Sequence, residues 1–315
     1  MRRAAQGLTT LLVASVLVWG MAELAAGDPA RQVLAARGVT EPAPAQVALV
    51  RGELGLDRPA AERYGRWLAD AVRGDLGVSW RTGRPVAEEI GARLPATLRL
   101  AAVALLYAFA AAVPLAVAGA WWAGRWPDAV ARGVVFAAAA LPGFVVGVVL
   151  LEVVVVGWGA GRVVADGSWG GALLPAVPLA CSVAAQWARV LRTGFDDALE
   201  APFAEVARAR GAGRGRLLLV HGVPHAAAGF LTVLGMTVGG LLAGAAVSEV
   251  LFTWPGIGRE LVAAIEARDV PVVQGVVLLA VTTYLVTGAL AVPAAAAIDP
   301  RLRGRGVRAA GDDAW

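Results

Sequence analysis

The chain contains no lysine; its 28 basic residues are all arginine. That absence excludes a phosphate loop of the GxxxxGK[ST] type, whose lysine reaches the β- and γ-phosphates. Cysteine occurs once, as Cys181 within an apolar run, so neither an intrachain disulfide nor a cysteine-rich metal cluster can form. Histidine occurs twice, as His221 and His225. Spaced four apart they share a helix face, but no third ligand lies nearby in the sequence, and they read as interfacial polar residues, not a metal site. Charge is scarce too, at 17% of residues against 58% hydrophobic, with a mean hydropathy of +0.66. A soluble globule of 315 residues cannot hide that much apolar surface, so the composition is that of an all-α polytopic membrane protein.

A spanning helix needs about 20 mostly apolar residues to cross a hydrocarbon core of about 30 Å. Six stretches qualify: 8–26, 98–123, 134–158, 172–190, 226–252 and 272–298. Pro175 and Pro178 interrupt the fourth, which spanning helices tolerate when neighbours satisfy the freed backbone groups. The first has a second reading, a cleaved signal peptide, because Arg2 and Arg3 precede an apolar run ending in the small residues AELAAG. The run is long for a signal, and its removal would leave five spans and an outside N-terminus.

Arginine sets the orientation. Arg2 and Arg3, the loop with Arg125 and Arg132, the loop from Arg189 to Arg216, and the tail with Arg301, Arg303, Arg305 and Arg308 fall on one side, the cytoplasm. Both termini are then cytoplasmic, and the short opposite loop between spans three and four carries only Arg162. The division is a first span at 1–26, an extracytoplasmic segment at 27–93, a membrane core at 94–298 with a cytoplasmic loop at 200–224, and a tail at 299–315. Loops as long as 27–93 cross regardless of charge. Within that small cap, AERYGRWLADAV spaces Tyr64, Trp67, Leu68 and Val72 as on a helix, and RPVAEEIGARL predicts an amphipathic helix at the interface before span two.

The loop EVARARGAGRGRLLLVHGVP, 205–224, has no aromatic residue to stack on a base, and positive-inside charge already explains its arginines, so nucleic acid is not a partner. It reads as helix, hinge, helix. Pro202 suits a first helical position, Glu205 suits the first turn, and Arg208 and Arg210 suit the last, where the helix dipole favours cations. Gly211 then ends the helix, since glycine takes the left-handed conformation without steric cost. A second short helix begins near Arg214 and carries Leu217, Leu218 and Leu219 toward the bilayer before Pro224.

This loop resembles the EAA loop of ABC-transporter permeases: Glu205, Val206 and Ala207, then Gly211, then His221, Val223 and Pro224 at that pattern's spacings, with Val206 and His221 departing from it. GDPA (27–30), LGLDRPAAERYGRWL (54–68), GDLGVSWRTGRPVAEEIGARLPATLRL (74–100), EVLFTWPGIGRELVAAIEARDVPVVQGVVLL (249–279) and IDPRLR (298–303) extend the likeness over nearly the whole chain. The chain resembles the B-type permease subunit of the dipeptide, oligopeptide and nickel ABC importer family. Departures are the glycine-rich GWGAGRVVADGSWGG between spans three and four, and Pro202–Phe203 in place of an acid and a tyrosine. The resemblance implies the ABC importer permease fold in a bacterial inner membrane, with no cofactor and no catalysis of its own. It implies a second related permease, as heterodimer or homodimer, two ATPase domains and an extracytoplasmic binding protein. It assigns ATPase coupling to Glu205, Ala207 and Gly211, to which Arg208 and Pro224 of the same loop are added; Glu249, an ionisable group near the outer mouth, is a pathway or gate candidate together with Trp254, Pro255 and Gly256.

Several residues keep two readings. Glu152 and Glu249 are ionisable groups at membrane depth, hence functional candidates, or a helix-end residue paired with Arg162 and a cap respectively. Trp80, Trp121, Trp122, Trp126, Trp158, Trp169 and Trp254 fall near span ends, where headgroup anchoring accounts for them. The pairs Gly235/Gly239 and Gly240/Gly244 permit close helix approach, within the chain or toward a partner. An ion-driven secondary transporter would show inverted repeats and paired broken helices, which the sequence lacks. An intramembrane metalloprotease would need H-E-x-x-H, also lacking. Between peptides, nickel and other solutes the sequence does not choose.

Overall fold

The computed structural model describes residues 2–24, 28–160 and 165–298. Gly27, Arg162 and the tail from Asp299, including most of IDPRLR, lie outside them. Among the described residues there are helices and no strands, only an isolated bridge between Val78 and Pro85. The helices are α1 (Arg2–Leu24), α2 (Pro29–Ala36), α3 (Pro44–Glu53), α4 (Ala60–Val72), α5 (Val86–Trp121), α6 (Trp126–Ala140), α7 (Gly143–Leu150), α8 (Ala176–Glu200), α9 (Pro202–Ala209), α10 (Arg214–Leu217), α11 (Val223–Leu251), α12 (Ile257–Glu266) and α13 (Val270–Ile298). Wide π-helical turns extend α7 over Leu151–Gly157 and join α10 to α11 over Leu218–Gly222. The chain forms two compact units, Met1–Thr97 with Pro255–Thr283, and Leu98–Trp254 with Tyr284–Trp315.

Three helical runs are long and apolar enough to cross a membrane: Val86–Trp121, Arg214–Leu242 and Val270–Ala291. The pair α6 and α7 with its π turn counts as a fourth if taken as one span. Six spans are therefore not reached on length and apolarity among the described residues, for identifiable reasons. The apolar part of α1, Gln6–Met21, is short of a full crossing. The fourth expected stretch becomes α8, whose second half carries Arg189, Arg192, Asp196 and Asp197. Its prolines need no rescue, because Pro175 is the N-cap and Pro178 lies in the first turn, where helical N–H groups have no partner anyway. The third stretch is not straight: it bends by 95° at Leu141–Pro142. Pro142 forces the preceding residue out of the helical region, and Leu141 is extended at φ −85°, ψ 120°.

The expected interfacial helix before span two is absent as a separate element; Val86 to Trp121 is one unbroken helix. At 1.5 Å per residue it is about 54 Å long, well over a hydrocarbon thickness. Thr82, Ser79 and the acids around them explain its start: Glu89, buried in the first turn, accepts from the Thr82 hydroxyl.

In the first unit α2 and α3 enclose a small core of Ala30, Val33, Leu34, Val47 and Val50, on which Leu54, Leu56 and Trp80 pack. Asp28 caps α2 by accepting from the Ala30 N–H and pairs with Arg51 at 3.2 Å. Helix α4 forms as its spacing predicts, and Tyr64 meets α1 through an edge contact with Trp19 and a 2.8 Å hydrogen bond with Ser15. The turn at 79–82 is fixed by Asp269, which accepts from the Ser79 hydroxyl and from the Trp80 and Arg81 N–H groups. Glu260 on α12 pairs with Arg81 at 2.7 Å and Arg93 at 2.9 Å. The cap segment is thus tied by buried acids to residues about 180 positions later, within one folding unit.

In the second unit α5 presents Ala108, Ala112, Ala116 and Ala120, one per turn and nearly inaccessible, to α8 and α11. Small side chains here let helices approach closely in a setting where dispersion and hydrogen bonds drive association. Helices α8 and α11 meet closely at Gly194, where an added Cβ would come within 2.7 Å of the Ala226 backbone. Trp187 fills the centre: it stacks edge-on against Phe230 and donates its Nε1–H to Thr237 at 3.1 Å.

Candidate functional site

The loop after α8 is built as a short capped helix. Ala201 is extended, Pro202 opens α9, and Ala204 faces inward and is buried. Glu205, Val206, Arg208 and Arg210 are exposed, and Ala207 is half-buried. The sequence produces this because the charged residues of α9 share one side over its eight residues, with Glu205 in the first turn and Arg208 in the last. At its end Gly211 sits at φ +85°. The Gly211 N–H bonds to the Arg208 carbonyl and the Ala212 N–H to the Ala207 carbonyl, both at 2.9 Å. These two reversed bonds make a Schellman cap, which requires a left-handed residue at Gly211. Glu205, Ala207, Arg208 and Gly211 are thereby held in one rigid turn-and-a-half.

Three contacts seat this element. Arg208 donates to the Leu199 carbonyl at the end of α8. Phe203 lies against His221 and His225, with ring centroids 5.5 and 6.5 Å apart, so the two histidines flank an aromatic ring. Arg214 donates from Nε to the Ala120 carbonyl, an orphan acceptor at the C-terminus of α5, at 3.1 Å. Beside it Gly215 lies so near Trp121 that an added Cβ would come within 2.7 Å of the indole. Sequence offered one signal for this seat, the departure at Pro202–Phe203, and none for the Arg214 contact.

The second short helix does not stop before Pro224. It continues through the π turn into α11, and Pro224, exposed in the first turn of α11, does not interrupt the helix. The extra residue of the wide turn accommodates a position that cannot donate. Pro224 is therefore separated from the α9 cap by the whole of α10.

Behind the seat lies a charged hub. Asp128, 1% exposed, accepts from the Gly124 N–H at 2.9 Å and pairs with Arg132 at 2.8 Å and Arg192 at 3.1 Å. Arg192 pairs in turn with Asp196 at 2.8 Å. The Arg192 guanidinium passes so close to Gly119 of α5 that a side chain there would have to displace it. Helices α5, α6 and α8 are thus locked at the end where α10 docks.

The segment 249–256 lies at the opposite end of α11, whose 29 residues span about 44 Å. Glu249 is fully buried, and its carbonyl accepts the Trp254 N–H at 2.8 Å, closing a turn with Thr253 at φ +51°. Gly256 is the N-cap of α12 and follows Pro255; the next residue, Ile257, donates its N–H to the Thr97 hydroxyl at 2.9 Å. Trp254 is 0% exposed, so it is a core residue and not a headgroup anchor, whereas Trp126, Trp158 and Trp169 are exposed. Trp80 likewise packs on the small core. Glu152 is exposed, in the π turn after α7.

The buried Nε1–H of Trp254 has no partner among the described residues. An orphan donor costs stability, so removing it offsets part of the packing lost on shrinking the ring. Trp254→Phe is expected to change unfolding stability by no more than about 1 kcal/mol, against about 3–5 kcal/mol for Trp254→Ala. Intrinsic-fluorescence melting of the purified chain reads the difference.

Residues 112–304 match the model of a family described as the binding-protein-dependent transport system inner membrane component. Over 297 residues, 94% of this chain and 95% of the relative, the sequence is 36% identical to the glutathione transport system permease protein GsiC of Escherichia coli O6:H1 (strain CFT073). Identity to the protein of the same name in Escherichia coli (strain K12) is 35% over the same shares. Among solved structures, an amino acid ABC transporter with histidines superposes with a TM-score of 0.50 at 17% identity, over 68% of this chain and 94% of that one.

Proposed function

Because the chain belongs to the family of binding-protein-dependent transport inner membrane components, and is thus a permease of an ATP-driven importer whose ATP hydrolysis falls to separate subunits, we propose that it carries short peptides, glutathione included, from a binding protein to the cytoplasm. In this reading α9 docks on the ATPase through its exposed Glu205, Val206 and Arg208, and Gly211 fixes the angle at which it meets α10. A second, related permease completes the path. The chain crosses six times with both termini cytoplasmic, α1 and α8 crossing with help from neighbours that cover their short or charged portions.

The observation that carries the coupling role is the seat of α9 and α10. A loop that merely connected two helices would need neither a Schellman cap nor two anchors on helix ends at Leu199 and Ala120. With them, a push on α9 reaches α5, α8 and α11 as a rigid displacement. The test is to purify the complex with its binding protein and identify the co-eluting ligand by mass spectrometry. A short peptide or glutathione is expected. A nickel chelate or a sugar overturns the cargo, and recovery without any ATPase overturns the coupling role.

A further inference from the structure

The two glycine pairs of α11 have different surroundings. Gly235 and Gly239 are packed on α13: an added Cβ would come within 2.2 Å of Ala291 at the first and 2.6 Å of Tyr284 at the second. They serve close approach within the chain. Gly240 and Gly244 face nothing within 4 Å. They line a cavity of about 620 Å³ together with Ser182 and Gln186 of α8, Ser248 of α11 and Tyr284 of α13.

Three features of this cavity point to a ligand. Ser248 is only 2% exposed, yet it lines the cavity, so the little of it that is accessible faces that space. A hydroxyl at a cavity wall is satisfied by whatever fills the cavity, water or ligand. Gln186 and Tyr284, both exposed, bring an amide and a phenol to the lining of the same space. Finally, every lining side chain is uncharged.

We infer that this cavity contacts the transported solute, holding it by neutral hydrogen bonds from Gln186, Ser248 and Tyr284, with Gly240 and Gly244 setting its width. An amide side chain offers both donor and acceptor, and hydroxyls offer either, which matches the alternating N–H and C=O groups of a peptide backbone. A charged anchor would bind a zwitterion and keep it; a path must let its cargo leave. Selection by charge then rests elsewhere. The inference depends on the importer reading, and the experiment separates the two.

Cys181 does not line the cavity, so Cys181→Ser gives a cysteine-free chain in which single cysteines can be placed. In the complete transporter in proteoliposomes, Gly240→Cys, Gly244→Cys and the near-isosteric Ser248→Cys are each treated with a membrane-impermeant quaternary-ammonium methanethiosulfonate. Labelling is compared with Leu106→Cys and Leu290→Cys, exposed apolar positions outside the cavity. The cavity positions are expected to react about tenfold faster or more, because a thiol ionises in water and not in lipid. Excess trialanine is expected to slow that labelling while equal maltose does not. Cavity cysteines no faster than the controls, in a complex whose ATPase remains coupled, overturn the solute path and mean that a partner helix covers the glycines. Equal protection by both solutes overturns the amide recognition. Fast labelling in a chain that recovers no ATPase overturns the importer reading while leaving the water-filled cavity.

Discussion

Gly211→Val is expected to abolish transport and binding-protein-stimulated ATP hydrolysis while leaving the assembled complex intact. The argument is local. At φ +85° a β-branched residue meets its own carbonyl, at a cost of about 1–2 kcal/mol or more, whereas an added Cβ at this site touches no other atom within 4 Å. The penalty is therefore purely conformational and is relieved by rotating the residue out of the left-handed region. That rotation breaks the two bonds from Gly211 and Ala212, and with them the fixed angle between α9 and α10. The helical bundle has no reason to unfold, because Gly211 is exposed and buries nothing.

The controls follow from the same geometry. Gly211→Asn tolerates the left-handed conformation and is expected to keep most of the coupling. Gly211→Ala falls between. Comparing stimulated with basal ATPase rates across Val, Ala and Asn orders the variants by left-handed propensity if the hinge angle matters. If all three behave alike, or if Val stays fully coupled, the rigid-hinge account is wrong.

The helices of the second unit and the hinge were legible from apolar runs and from glycine spacing, since both are local signals. Tyr64 and Trp67 on α4, and Pro202 and Gly211 around α9, fall where period and capping chemistry put them. Long-range pairings were not legible. Asp269 lies 190 positions from Ser79, and nothing in either neighbourhood names the other. Arg214 looked like an ordinary positive-inside arginine, and only the structure shows its Nε on the Ala120 carbonyl. The bend at Leu141 was in principle available, because the restriction that a proline places on its predecessor is local; the apolarity of 134–158 masked it. Trp254 was misplaced because amphipathic residues near a span end have two fates, interface or core, and composition does not distinguish them.

Asp128→Ala is expected to be among the most destabilising single changes in the second unit. Asp128 holds two arginines and a backbone N–H while being almost wholly withdrawn from solvent. Its removal affects the two arginines unequally. Arg132 is two-thirds exposed and returns to solvent, but Arg192 is mostly buried beside Gly119 and among the described residues keeps only Asp196. Breaking a buried pair from one side costs about 3–5 kcal/mol, because the remaining charge stays desolvated. Asp128→Asn retains an acceptor for Gly124 and should lose less. The decisive comparison is Asp128→Leu with Arg192→Leu: replacing both charges by apolar groups is often neutral, so the double variant should melt well above either single one. Intrinsic-fluorescence melting of the detergent-solubilised chain measures all five. Additive losses in the double variant would show that Asp128 acts through Gly124 and Arg132, and that the α6–α8 lock behind the coupling seat is not a buried ion pair in energetic terms.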